Sequence, residues 1–123
     1  MPLDFLTQLD YKILDKISSK EGRMKLGLLI TTDRHLDAVM GLTDAAVSKG
    51  HEVVLFNMDA GTKLLANDTF RQLCKKKGVT MAFCDHSLQG EKVSKEGIPP
   101  EIVCGSQFNN ANMMHDVDRV LNL

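Results

Sequence analysis

Residues 25–32 have the sequence KLGLLITT, a nearly continuous apolar run. Such a run is typical of a strand buried on both faces of a parallel sheet, because neither face alternates with polar residues. Residues 33–49 then place apolar side chains at helical spacing, with Asp33 as the expected N-cap and Gly50 as the cap at the other end. The next apolar run, EVVLFN, follows at once. Together these segments predict a β-α-β unit with parallel strands.

The same order repeats in the following segment. Residues 62–77 have helical spacing that we expect to be interrupted near Asn67 and Asp68. Gly78 ends this helix directly before the apolar run VTMAFC at 79–84, just as Gly50 precedes the earlier strand. Two Lys-Gly junctions therefore mark equivalent transitions from helix to strand.

The last third of the chain continues the alternation. Two prolines precede a fourth strand at 101–106, and a helix is expected from about residue 110. Residues 119–123 form either a short last strand or the end of that helix. Strands and helices that alternate over short turns predict a three-layer α/β sandwich with a mostly parallel sheet of four to five strands.

An amphipathic helix is expected in front of this domain. Residues 3–19 carry apolar side chains at helical spacing with charges on the opposite face. We therefore divide the chain into an N-terminal helical extension at 1–22 and an α/β domain at 23–123. The extension packs back on the sheet or faces a partner, and packing back is the commoner outcome for such a stripe.

Charge and cysteine content narrow the function classes. The formal net charge of −1 offers no electrostatic basis for binding nucleic acid or an anionic membrane. No stretch approaches the length of a transmembrane helix, and no signal-peptide pattern is present. Three cysteines without a CxxC pair argue against a disulfide framework and a zinc cluster. The simplest interpretation is a reduced, cytoplasmic protein.

Function is expected at the carboxyl edge of the sheet, where open α/β folds bind ligands. The edge would hold residues 31–35, 57–59, 84–86 and 106–110. The chain has neither a GxGxxG nor a Walker A motif, so a dinucleotide site is not expected. The His, Cys and Asp residues of this edge match no known closed metal site, and we expect no metal and no organic cofactor.

Cys84 has the clearest chemical rationale at that edge. It ends an apolar run, and a short helix beside it, capped by Asp85 or Ser87, would lower the pKa of the thiol. A protonated His86 would add to this effect, whereas the Asp85 carboxylate would oppose it. The alternative is a half-buried small side chain without reactivity.

The remaining thiols and imidazoles are weaker candidates. His35 begins a helix beside the crevice and joins His86 as a candidate for stabilising the thiolate or moving protons. Cys74 is expected on an inward helical face. Cys104 is expected inside an apolar strand, where burial makes a thiol inert.

Four segments carry a resemblance to a known family: KLGLLITTD, EVVLFNMDAG, KKKGVTMAFCDHSL and EIVCGSQFNNA. Over roughly residues 24–123 the chain resembles the DsrE/DsrF-like family, which includes the DsrE and TusD subunits of sulfur-relay complexes. The resemblance implies a small α/β sandwich that assembles into trimers or hexamers. It also implies that Cys84 accepts sulfane sulfur as a persulfide and passes it to a partner thiol, such as that of a TusA-like carrier.

The sequence supports a leading hypothesis and two others. The leading one is a cytoplasmic sulfur-relay protein, or sulfurtransferase, that uses the Cys84 persulfide. The second is a non-catalytic oligomeric module that binds a small ligand or a protein in the crevice. The third is a thiol redox sensor in which Cys84 forms a mixed disulfide.

Overall fold

The computed structural model describes residues 22–123. The predicted N-terminal helix at 3–19 lies outside the described residues. The predicted domain boundary after residue 22 lies at their first residue. The described chain alternates strands with helices from β1 to β5. In chain order the elements are β1 (Lys25–Ile30), α1 (Leu36–Ser48), β2 (Glu52–Asn57), a 3₁₀ segment (Asp59–Ala66), α2 (Asp68–Arg71), a second 3₁₀ segment (Gln72–Lys75), β3 (Val79–Cys84), α3 (Asp85–Gly90), β4 (Ile102–Gly105), α4 (Gln107–His115) and β5 (Arg119–Asn122).

The five strands form one parallel sheet in the order β4-β3-β2-β1-β5. The predicted α/β sandwich with a parallel sheet is therefore confirmed, and the C-terminal segment is a strand. Steps from β1 to β4 move in one direction across the sheet, and the step from β4 to β5 returns over it. Because βαβ crossovers are right-handed, the returning helix α4 lies on the opposite face from the earlier helices.

The two faces of the sheet are covered unequally. The first face holds the main aliphatic core, which includes Leu28, Leu55 and Phe70. The second face holds a small cluster of Phe56, Ala82 and Cys84, against which Met113 and Met114 of α4 pack.

Helix α4 has no buried residue of its own, and exposed apolar side chains remain around the second face at Val103, Phe108 and Val120. This face is thinly covered within residues 22–123.

Local features explain where the helices begin and end. Gly50 has a φ of +85° and directly follows the C-cap residue Lys49, which confirms it as the glycine that ends α1 before β2. Gly78 has a φ of +90° in the turn before β3, but it does not end the helical segment, which stops at Lys75 with Lys76 as its cap. The predicted helix at 62–77 is instead two 3₁₀ segments around α2. The break lies at Asn67, whose Oδ1 accepts a hydrogen bond of 2.9 Å from the backbone N–H of Phe70.

The start of α1 differs from the prediction. Asp33 is not the N-cap, because the helix begins at Leu36 and His35 occupies the cap position without a side-chain hydrogen bond. The preceding residues are tied to the end of the chain: Thr31 Oγ1 lies 3.0 Å from Asn122 Oδ1, and Thr32 Oγ1 donates to the carbonyl of Leu123 at 3.1 Å. These long-range bonds keep residues 31–34 outside the helix.

The start of α4 also differs. The helix begins at Gln107 rather than near residue 110, because Ser106 and Asn109 form a capping box. The Ser106 hydroxyl accepts from the N–H of Phe108 at 3.2 Å, and Asn109 Oδ1 accepts from the N–H of Ser106 at 2.9 Å. This cap brings Gln107 close to the end of β3.

Candidate functional site

A cleft of about 630 Å³ opens at the carboxyl edge of the sheet. The ends of β2, β3 and β4 form it, as expected for a parallel sheet. Its lining residues are Met58, Asp59, Cys84, Asp85, His86, Ser87, Gly105, Ser106 and Gln107. The cleft therefore brings together three of the four strand ends that the sequence predicted to converge.

Cys84 lies at the inner wall of this cleft. Its residue surface is only 4% exposed, because the side chain belongs to the second-face cluster with Phe56 and Ala82. It is the last residue of β3 and the N-cap residue of α3, so neither Asp85 nor Ser87 caps that helix. The predicted placement beside a helix start is found, because Cys84 is itself the N-cap residue of α3.

Hydrogen-bond donors surround the Cys84 sulfur. Burial is the largest single influence and raises the pKa of the thiol. Bonds from the Ser87 hydroxyl and N–H, from the Gln107 side-chain amide and from the His86 N–H act in the other direction. Together they outweigh burial, and the pKa of Cys84 lies below its ordinary value of 9.0.

Ser87→Ala is expected to raise the pH midpoint of Cys84 alkylation. The hydroxyl stabilises only the thiolate, so its removal returns the pKa of Cys84 toward the ordinary thiol value. At a pH between the midpoints of the parent and of the variant, the variant holds less thiolate than the parent and reacts more slowly with iodoacetamide. Well above both midpoints the two proteins react at similar rates. The measurement is the alkylation rate against pH by intact-protein mass spectrometry. The control is Ser48→Ala, an exposed serine at the end of α1 that does not line the cleft. An alkylation midpoint in Ser87→Ala equal to those of the parent and of Ser48→Ala would contradict this assignment.

The Asp85 carboxylate is paired on the other side of the helix start. Lys95 Nζ lies 2.6 Å from Asp85 Oδ1, and Gln89 Nε2 donates to Oδ2 at 2.9 Å. The bond from Lys95 holds the pKa of Asp85 below its usual range. This ammonium compensates the carboxylate that the sequence analysis expected to oppose the Cys84 thiolate.

The two candidate histidines occupy different places. His86 lines the cleft with an exposed side chain, and its backbone N–H is one of the donors to the sulfur. His35 precedes α1 at the end of β1 and is not among the residues that line the cleft. The structure therefore brings Cys84 and His86 together and leaves His35 apart.

The other two thiols differ in exposure. Cys74 is partly buried against the main core, and burial raises its pKa. Cys104 is exposed, so the prediction of a buried, inert thiol is wrong. The reason is topological: β4 is an edge strand in the described sheet, and Cys104 shares a smaller cleft with Lys95.

Cys84 and Cys104 face opposite sides of the sheet. Cys104 is paired in register with Phe83, and Cys84 with Gly105. Because side chains alternate between faces along a strand, the two thiols point away from each other. Both are free thiols.

Two donors to the Cys84 sulfur were not predicted as such: Ser87 was expected as a possible cap of the short helix, and Gln107 only as one of the residues at the carboxyl edge. Ser87 is three residues beyond the cap, where a backbone N–H normally meets the cap side chain, so its position carried a usable signal. Gln107 comes from another strand end, and only the capping box at Ser106 brings it to the cleft.

Within residues 22–123 no three His, Cys, Asp or Glu side chains are grouped in a way that could hold a metal ion. The helices of this same region are all too short or too polar to cross a membrane.

Comparison with known proteins supports the fold. The sequence matches no family model and no curated protein. A solved structure, that of the ychN protein from E. coli, matches with a TM-score of 0.62 at 11% sequence identity. The match covers 83% of this chain and 100% of the ychN chain. This chain therefore shares the α/β fold of the ychN protein. At this identity the likeness concerns the fold alone.

Proposed function

We propose that this protein is a cytoplasmic sulfur-relay protein of the DsrE-like type, which carries sulfane sulfur as a persulfide on Cys84. The observation that carries the proposal is a thiol with a lowered pKa at the wall of an open cleft, supplied with hydrogen-bond donors from two strand ends. Thiolate character combined with access to a partner is what sulfur exchange requires.

The proposed step is an exchange at sulfur. The Cys84 thiolate attacks the outer sulfur of a donor persulfide, R–S–SH, and a new S–S bond forms. The bond between the two donor sulfurs breaks, and the donor leaves as a thiolate that takes up a proton from solvent. An acceptor thiolate then attacks the outer sulfur of Cys84–S–SH, and Cys84 leaves as a thiolate. The sulfane sulfur is transferred from one thiol to another without net oxidation, so the step needs no cofactor.

The residues around Cys84 suit both halves of this exchange. The Ser87, Gln107 and His86 donors stabilise the thiolate as attacking group and again as leaving group. In this proposal the His86 imidazole, which is exposed at the cleft, exchanges protons between the departing sulfur and water. His35 is a candidate for proton exchange only if the partner brings it to the reacting sulfur.

The experiment is sulfur loading of the reduced full chain. After incubation with excess polysulfide or a persulfidated donor, intact mass spectrometry is expected to show a gain of one sulfur atom. Peptide mapping is expected to place it on Cys84, and an added thiol acceptor is expected to remove it. A chain that gains oxygen atoms with peroxide but no sulfur from these donors would instead support the redox-sensor hypothesis.

We also propose that the protein works as a homo-oligomer, a trimer or hexamer, and delivers sulfur to a TusA-like carrier. Support comes from the thin cover of the second face and from Phe108, which is 74% exposed beside Gln107. Light scattering of the full chain is expected to give a molar mass three or six times that of the monomer. A monomer mass at tens of micromolar protein would contradict the assembly.

A further inference from the structure

The charge of the cleft bears on which sulfur compounds Cys84 can meet. Two carboxylates, Asp59 and Asp85, are among its lining residues, and none of the nine lining residues is a lysine or arginine. His86 is the other titratable side chain of this set besides Cys84 itself. A cleft with this lining disfavours anions by simple electrostatics.

The two carboxylates are not equivalent. Asp85 is paired with Lys95, with 2.6 Å between Nζ and Oδ1. Asp59 is exposed, and none of the ion pairs among residues 22–123 includes it. Among residues 22–123, Asp59 is therefore the carboxylate of the cleft lining that has no ion-pair partner.

The backbone holds Asp59 at the cleft rim. Its φ of +49° is left-handed, a conformation that Asp tolerates better than most residues. The residues on either side are anchored: the N–H of Met58 donates to the carbonyl of Ile30 at 2.9 Å, and that of Gly61 donates to the carbonyl of Met58 at 2.9 Å. The Asp59 carbonyl accepts from the Thr62 hydroxyl at 2.8 Å. These bonds fix the backbone that carries the Asp59 carboxylate, so the charge stays at the cleft rim and this segment does not need to be ordered when a partner arrives.

We propose that Asp59 selects sulfur donors and acceptors that carry positive charge beside the reacting sulfur, and that it disfavours anionic ones. This inference rests on the proposed exchange at Cys84 and names its substrate class. A protein thiol flanked by lysine or arginine fits the cleft, whereas small inorganic anions such as thiosulfate fit it poorly.

The test compares three disulfides that differ in charge: cystamine, which is cationic, 2-hydroxyethyl disulfide, which is neutral, and 3,3′-dithiodipropionate, which is anionic. The full chain carries Cys74→Ser and Cys104→Ser, so that Cys84 is its one thiol. In each reaction the Cys84 thiolate attacks one sulfur of the reagent, the reagent S–S bond breaks, and the released thiolate takes up a proton. Intact mass spectrometry follows the mixed disulfide.

Asp59→Asn is expected to lower the ratio of the cystamine rate to the dithiodipropionate rate about fivefold at low salt. Comparing variant with parent cancels the intrinsic reactivity of each reagent. The difference between the rate ratios of parent and variant is expected to shrink at about 0.5 M NaCl, because the Debye length is then only a few ångströms and the Asp59 charge is screened. Asp116→Asn, an exposed aspartate outside the cleft at the end of α4, is expected to leave the ratio unchanged.

The outcomes separate this inference from the proposed function. An equal rate ratio in parent and Asp59→Asn overturns the role of Asp59, even if Cys84 still loads sulfane sulfur. A fivefold change in a protein that never retains sulfane sulfur supports the electrostatic selection and overturns the relay function. Absence of any reaction at Cys84 overturns both.

Discussion

Gly61→Ala is expected to destabilise the protein by roughly 3 kcal/mol or more, because a methyl group at this position would clash with neighbouring backbone atoms. An added Cβ would meet the backbone carbonyl oxygen of Ile30 and lie 2.6 Å from its carbon. Gly61 is buried, its N–H donates to Met58, and its carbonyl accepts from the Asn57 side chain at 2.9 Å. Backbone on both sides must therefore move, at the cost of hydrogen bonds that position the cleft rim.

The matched control is Gly90→Ala. Gly90 ends α3, and a Cβ there has no atom within 4 Å. Alanine is expected to change the free energy of unfolding by less than about 1 kcal/mol, with stabilisation the favoured direction. Urea unfolding of both variants measures the difference. Equal free energies of unfolding for Gly61→Ala and Gly90→Ala would contradict the prediction, because they would show that the turn at residues 58–61 accommodates the methyl group without loss of stability.

Cys84→Ser is expected to abolish sulfane loading at position 84, a fall of at least about tenfold to the background level. The serine hydroxyl has nearly the shape of the thiol but does not ionise near neutral pH, so the attacking group disappears while the cleft remains. The site is 4% exposed, and a thermal melt checks that the hydroxyl is tolerated among Phe56 and Ala82.

Cys104→Ser is the control for thiol content. Cys104 is the most exposed of the three cysteines and lies beside Lys95, so it is the position where unspecific sulfur uptake is expected. Peptide mapping distinguishes the two sites. The relay function requires that Cys104→Ser keep loading on Cys84 and pass the sulfur to an acceptor thiol. If sulfane sulfur were found only on Cys104 of the wild-type chain, and none on Cys84, the relay function would be contradicted.

The strands were well predicted from the sequence because their signal is local. The runs at 52–57 and 79–84 coincide with β2 and β3 as Glu52–Asn57 and Val79–Cys84. Each is apolar on both faces and follows a Lys-Gly junction, so neither pattern depends on distant residues. The sheet class followed from this alternation, and the order β4-β3-β2-β1-β5 then obeys the handedness of the crossovers.

Helix starts were less predictable, because long-range partners decide them. Asp33 has the right residue type for an N-cap, yet the bonds from Thr31 and Thr32 to the last two residues hold this segment in another conformation. The bonds join residues 91 positions apart, which no local pattern reports.

For the candidate site, the local sequence is enough to place the Cys84 thiol at the end of a strand on the carboxyl edge, because an apolar run followed by a helix is all that this requires. The surroundings of the thiol depend on the fold: Gln107 comes from the start of α4, Asp85 is paired with Lys95, and His35 stays outside the cleft. The fold also decides that Cys104 is exposed, because an apolar run looks the same at the centre of a sheet and at its edge. Strand formation depends on neighbours in the chain, whereas burial, charge pairing and hydrogen bonds to a sulfur depend on neighbours in space.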